Sequence, residues 1–292
     1  MMIGKSKLYQ VALLGLLLSL TVNLARAAGP EPSLVKDIYP GASGPYPHNS
    51  FPDKLTNVNG TLFFIANDGT TGNELWKSDG TAAGTVLVKD IHPGLEGSRS
   101  VFLTDVNGTL FFRADDGSHG DELWKSDGTE AGTVLVKDIW PGAFGPNPAS
   151  SAPGNLTDVN GTLFFMANDG ANGYELWKSD GTAAGTVLIK DIHPGASGSL
   201  PSNLTNVNGT LSFIAVDGVN GYELWKSDGT AAGTVLVKDI NPGASGSFPD
   251  KLTNVNGTLF FSAADGTTGN ELWELWSPIN LNQYYFPIVF KN

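Results

Sequence analysis

In Thr61-Leu62-Phe63-Phe64-Ile65-Ala66, an extended chain puts Leu62, Phe64 and Ala66 on one side and Phe63 and Ile65 on the other, and neither side is polar. A strand with two apolar faces must be covered on both, so its sheet is expected to lie between neighbouring sheets. Three flanking segments also read as strands. Residues 55–58 come first, joined through Asn59-Gly60, a pair that tolerates the positive φ angles of a type I′ hairpin turn. Residues 74–77 follow the loop 67–72, and residues 85–91 follow the loop 78–84, both rich in Gly and Asp or Asn.

This four-strand pattern recurs. The glutamate of Glu-Leu-Trp falls at Glu74, Glu122, Glu175, Glu223 and Glu271, and the hairpin asparagine returns at Asn107, Asn160, Asn208 and Asn256. Four antiparallel strands per unit of about 48 residues, covered on both faces, describe a propeller blade. The ends are informative as well. Residues 34–38 repeat the wording of a fourth strand with no first three before it, whereas the last copy breaks off after Trp273. The expected fold is therefore an all-β, five-bladed β-propeller of four-stranded antiparallel blades, closed by residues 34–38 as the missing strand of the last blade. The apolar tail at 283–290 competes for that place.

Glu-Leu-Trp-Lys-Ser-Asp-Gly-Thr stands at 74–81, 122–129, 175–182 and 223–230. It resembles the ELWxxDGT repeat of exported bacterial proteins, sometimes labelled hyalin-like, over residues 33–276. The resemblance implies a propeller-like array on a secreted or surface protein and brings no catalytic residues with it. The last copy departs at Glu274, where Lys-Ser-Asp-Gly-Thr would follow.

Lys5 and Lys7, an apolar run to Val22 and the small-residue site Ala25-Arg26-Ala27 read as a signal peptide over 1–27, too short for a membrane span. A propeller domain at 28–276 and a tail at 277–292 follow. Loss of Lys5, Lys7 and Arg26 would leave 14 basic against 29 acidic residues, a formal charge of −15. Such a surface repels nucleic acid and anionic membranes. The chain has no cysteine, so an exported domain must rely on packing, and on ions if they bind.

Two sets of residues carry candidate chemistry. Asp68, Asp116, Asp169, Asp217 and Asp265 open the loop after the second strand, each six residues before Glu74, Glu122, Glu175, Glu223 and Glu271. Oxygen-rich loops of this kind could hold calcium, which takes six to eight oxygen ligands; the bland alternative is a turn aspartate. No other cofactor is expected. In Lys-Asp-Ile-x-Pro-Gly, the position that changes while its neighbours hold is Tyr39, His92, Trp140, His193 and Asn241. Aromatics, imidazoles and an amide on a rigid rim suit sugars or peptides, whereas an exposed, unconstrained site would vary equally freely. The Glu-Leu-Trp tryptophans could stack sugars or form blade-to-blade core.

Function is then expected to be non-enzymatic recognition or adhesion outside the cell, toward a glycan or protein. A glycosidase or lyase is the alternative, although it needs an asymmetric acid and base, and here nearly every carboxylate recurs in each repeat. A structural surface or matrix component is the third.

Overall fold

In a computed structural model, residues 31–276 are described; the signal peptide expected at 1–27 and the tail at 277–292 lie outside them. Among them, residues 31–34 fall in one unit and residues 35–276 in a second, compact one. Residues 31–34 of the first carry no helix or strand, and the second holds every strand.

Among the described residues the chain is all-β. Two short strands, β1 (Ala42–Ser43) and β2 (Tyr46–Pro47), pair as a hairpin ahead of the first four-stranded sheet. That sheet contains β3 (Asp53–Val58), β4 (Thr61–Asn67), β5 (Asn73–Ser78) and β6 (Val86–Lys89). The second contains β7 (Val101–Val106), β8 (Thr109–Asp115), β9 (Asp121–Ser126) and β10 (Val134–Lys137). A second hairpin, β11 (Ala143–Phe144) with β12 (Asn147–Pro148), marks the other short insertion. The third sheet runs β13 (Gly154–Val159), β14 (Thr162–Asn168), β15 (Tyr174–Ser179) and β16 (Val187–Lys190). The fourth runs β17 (Ser202–Val207), β18 (Thr210–Val216), β19 (Tyr222–Ser227) and β20 (Val235–Lys238). The fifth has three strands, β21 (Asp250–Val255), β22 (Thr258–Ala264) and β23 (Asn270–Trp276). Each of the five larger sheets is an antiparallel meander in chain order, so each is a propeller-like blade.

The two-faced apolar strands are sandwiched as their pattern requires. Val58, Phe63, Ile65 and Leu75 of the first sheet share one core with Leu110, Phe112 and Trp124 of the second. The same cluster recurs at the next two junctions, with Trp177 and Trp225 in the tryptophan position. These tryptophans are therefore blade-to-blade core. Neighbouring sheets are also tied by lysines, which bury their stems and donate at the tip: Lys89 Nζ reaches the Thr133 carbonyl at 2.8 Å and lies 5.9 Å from the Trp124 ring. The hairpins turn as expected, with φ of 49° at Asn59 and 84° at Gly60.

The expected closure is corrected. Residues 34–38 form no strand, and β23 pairs with β22 alone. Val35–Ile38 instead lies against the first sheet, where Ile38 joins Phe64, Ala66 and Trp76 in a small core. First strands of successive sheets are neighbours, from β3 with β7 through β17 with β21, with no comparable contact between β21 and β3. A wording match shows which strand is missing; whether the sheets turn far enough to bring it home depends on the twist accumulated in packing.

Candidate ligand-binding site

The variable linker residues all pack against the following repeat. Tyr39, His92, Trp140, His193 and Asn241 are all half-buried. Each lies over a glycine of the next repeat's Asp-Gly loop: Tyr39 over Gly69, His92 over Gly117, Trp140 over Gly170, His193 over Gly218 and Asn241 over Gly266. Asn241 Nδ2 also donates to the Gly246 carbonyl at 2.8 Å, and the Tyr39 ring packs on His48 at 4.3 Å. Their variation is thus accommodated at a sheet-to-sheet joint.

The paired carboxylates part company. Asp68 Oδ1 accepts from the amides of Thr70 and Thr71 and from both their hydroxyls, at 2.8–3.1 Å. Asp116, Asp169, Asp217 and Asp265 cap their loops in the same way. Glu74, Glu122, Glu175 and Glu223 are fully buried and serve the linker of their own repeat. Glu122 accepts from Ile139 N at 3.1 Å, Ser151 N at 2.8 Å and Ser151 Oγ at 2.5 Å. Glu271 is exposed, since no such linker follows it among the described residues. No group of three or more His, Asp or Glu side chains gathers there as a metal site.

Burial pushes the Glu74 and Glu122 carboxyls up to about 7 against the opposing bonds from Ser98 and Ser151, and it raises Glu175 in the same sense. In an open cleft such shifts would mark general acids. Here the groups are sealed from solvent and bonded to backbone amides, so their chemistry is structural.

A second variable set emerges from the backbone. At the entry to each sheet a β-bulge breaks the register of the first strand, between Asp53 and Thr56 and at the four equivalent places. Two residues there take positive φ without being glycine. The outer set is Phe51, Arg99, Ala152, Leu200 and Phe248, and the bulge set is Lys54, Phe102, Asn155, Asn203 and Lys251, with φ from 43° to 59°. Non-glycine residues in this region carry a cost of about 1–3 kcal/mol each and cluster where function asks for a particular side-chain direction. The amide side chains bridge to the next sheet, Asn155 to the Pro201 carbonyl and Asn203 to Asp250, both at 3.1 Å.

Between the first and second sheets the same positions open a groove. Two adjoining hollows of about 370 and 470 Å³ share Lys54 and Val101. Arg99 borders the first, and Arg113 and Phe102 the second. Arg99 and Arg113 are the only arginines in residues 31–276. Where Arg113 stands, the other copies have Ile65, Met166, Ile214 and Ser262. Its guanidinium lies 5.1 Å from the Phe102 ring, and its Nε is buried with no hydrogen-bond partner. Arg99 reaches Asp115 only at 3.8 Å, while Lys54 pairs with Asp53 at 2.8 Å. Phe51 and Phe102 are exposed beside these charges. An aromatic next to an under-satisfied guanidinium offers a stacking face and fork-shaped donors for a carboxylate. The repeat-breaking arginines were the available sequence signal.

No family model and no curated protein matches the sequence. Among solved structures the chain is similar to a puromycin hydrolase mutant complexed with PGG, at 15% identity and a TM-score of 0.49 over 77% of this chain and 35% of that one. It is also similar to an exo-beta-1,3-galactanase from Clostridium thermocellum, at 14% identity and 0.36 over 83% and 62%, and to oligopeptidase B from Leishmania major, at 11% and 0.44 over 78% and 31%. This chain therefore spans about a third of the length of the two hydrolases named first and last, and under two thirds of the galactanase.

Proposed function

We propose that this is an exported, non-enzymatic recognition protein of the ELWxxDGT type, a five-blade array that holds an acidic glycan in the groove between its first two blades. The observation that carries this is the departure from the repeat at Arg99 and Arg113. Four other copies fill the second position with Ile, Met or Ser at no loss to the fold, so packing does not explain an arginine whose Nε is buried and unpaired. Phe102 and Phe51 supply faces for a sugar ring, and Arg113 and Arg99 supply guanidinium donors for its carboxylate. The glutamates with raised pKa values are sealed away and none of them lines the groove, whose own carboxylate, Asp53, is paired with Lys54.

Binding to immobilised uronic-acid polysaccharides, compared with neutral ones of the same linkage, tests this directly. The acidic chains should bind, and Phe102→Ala should weaken them about tenfold, the equivalent of about 1.4 kcal/mol. Equal retention of acidic and neutral chains, or none of either, would rule the groove out as an acid-sugar site.

A further inference from the structure

The two ends of the blade array are complementary, and the complement is drawn four times within the molecule. At each internal junction the leucine of Glu-Leu-Trp is sealed by the next sheet: Leu75, Leu123, Leu176 and Leu224 are at most 1% exposed. In the last sheet the equivalent Leu272 is 76% exposed, and Val255 is 47% exposed where Val58, Val106, Val159 and Val207 are buried. The outer edge of β23 has no fourth strand beside it among the described residues.

The first sheet carries the matching piece, already seated. Lys36 Nζ donates to the Thr85 carbonyl at 2.7 Å, as Lys89, Lys137 and Lys190 donate to Thr133, Thr186 and Thr234 at 2.8–2.9 Å. Lys36 stands 5.9 Å from the Trp76 ring, the same distance as Lys89 from Trp124. Tyr39 covers Gly69 as His92 covers Gly117. Residues 35–39 therefore occupy, on the first sheet, the place that a preceding blade's fourth strand and linker would take, and no third strand pairs with them.

We propose that copies of this chain associate head to tail, with residues 33–36 of one copy, the counterpart of β6, completing the last sheet of another beside β23 and the first sheet covering Leu272 and Val255. The interface would continue the blade-to-blade packing already present, adding a strand to an open edge. Leu75 pairs with Lys89 across β5 and β6, so the register sets Lys36 of one copy opposite Leu272 of the next. Because the two surfaces differ, the contact propagates into chains or closes into a ring of copies.

The absence of cysteine makes a clean test. Directly opposed residues on antiparallel strands are about 4.5–5.5 Å apart at Cα, within disulfide range. Oxidation of the Lys36→Cys, Leu272→Cys double variant should give a concentration-dependent ladder of dimers and larger species on a non-reducing gel, collapsed by reductant. A bond formed only within single chains would overturn the proposal, because it would mean closure on itself; so would the absence of any bond. Sedimentation of the unmodified protein gives an independent reading: its average mass should rise with concentration and return to that of a monomer in Leu272→Asp, a change at an exposed site. A monomer at all concentrations would contradict the proposal.

Discussion

Trp140 shows what one variable residue does in a repeated fold. Gly170 beneath it has φ of +82°, and a Cβ placed there would lie 2.3–2.8 Å from the indole. Gly170→Ala combines a left-handed alanine with an overpacked joint, so it should lower stability by about 2–4 kcal/mol, read as a fall in the thermal midpoint. The variation at this position was visible in the sequence; its orientation was not. A repeat compared with itself shows which residues differ, and the glycine that Trp140 covers belongs to the following repeat. Arg113 was legible by the same comparison, but it sits inside a strand, where a change of residue reads as packing. Glu122 makes the residue-scale electrostatics testable. Its carboxyl stays protonated to about pH 7 when folded and to about 4.5 when unfolded, so the folded state holds the extra proton between those values. Stability should therefore fall as pH rises from 5 to 8, by up to about 3 kcal/mol for this group, and the loss should shrink by that amount in Glu122→Gln. An unchanged slope in the variant would contradict the assignment.

At the scale of elements, strand order and turn chemistry followed from sequence because both are local. The Asn-Gly hairpins and the Asp79-Gly80-Thr81 turn, with Thr81 N donating to Asp79 at 2.9 Å, depend on residues two or three apart. The bulges were not legible. They arise because the first strand must meet both its own sheet and its neighbour, and no residue type announces them: Lys, Phe and Asn take the same positive φ. The ties between sheets were also hidden, since they join positions more than forty residues apart. Lys89 is one of them, donating to Thr133 and lying over Trp124. Lys89→Met keeps the stem but orphans that carbonyl, so it should cost about 1–2 kcal/mol in chemical denaturation. Trp124→Phe should cost more, through the cavity left in the shared core.

For the molecule as a whole, the repeat predicted sandwiched four-stranded sheets and the structure contains them, but closure by residues 34–38 was a statement about accumulated geometry that a repeat cannot make. The same whole-molecule view gives the pH profile. Burial raises Glu74, Glu122 and Glu175, which favours mildly acidic solution. The threonine hydroxyls and amides that hold Asp79, Asp127, Asp180 and Asp228 below the usual carboxylate range oppose strong acid, because that stabilisation is lost as these groups protonate. The thermal midpoint should peak near pH 5 and decline on both sides. We propose that the copies which agree build the scaffold and that the residues breaking the pattern in the first groove bind the ligand. That claim is tested by restoring the repeat: Arg99→Leu together with Arg113→Ile introduces the residues found at 200 and 214. Calorimetric titration with a uronic-acid oligosaccharide should show binding to the parent chain and a loss of about a hundredfold or more in the variant, with an equal or higher thermal midpoint. Undiminished binding by a folded variant would contradict the claim.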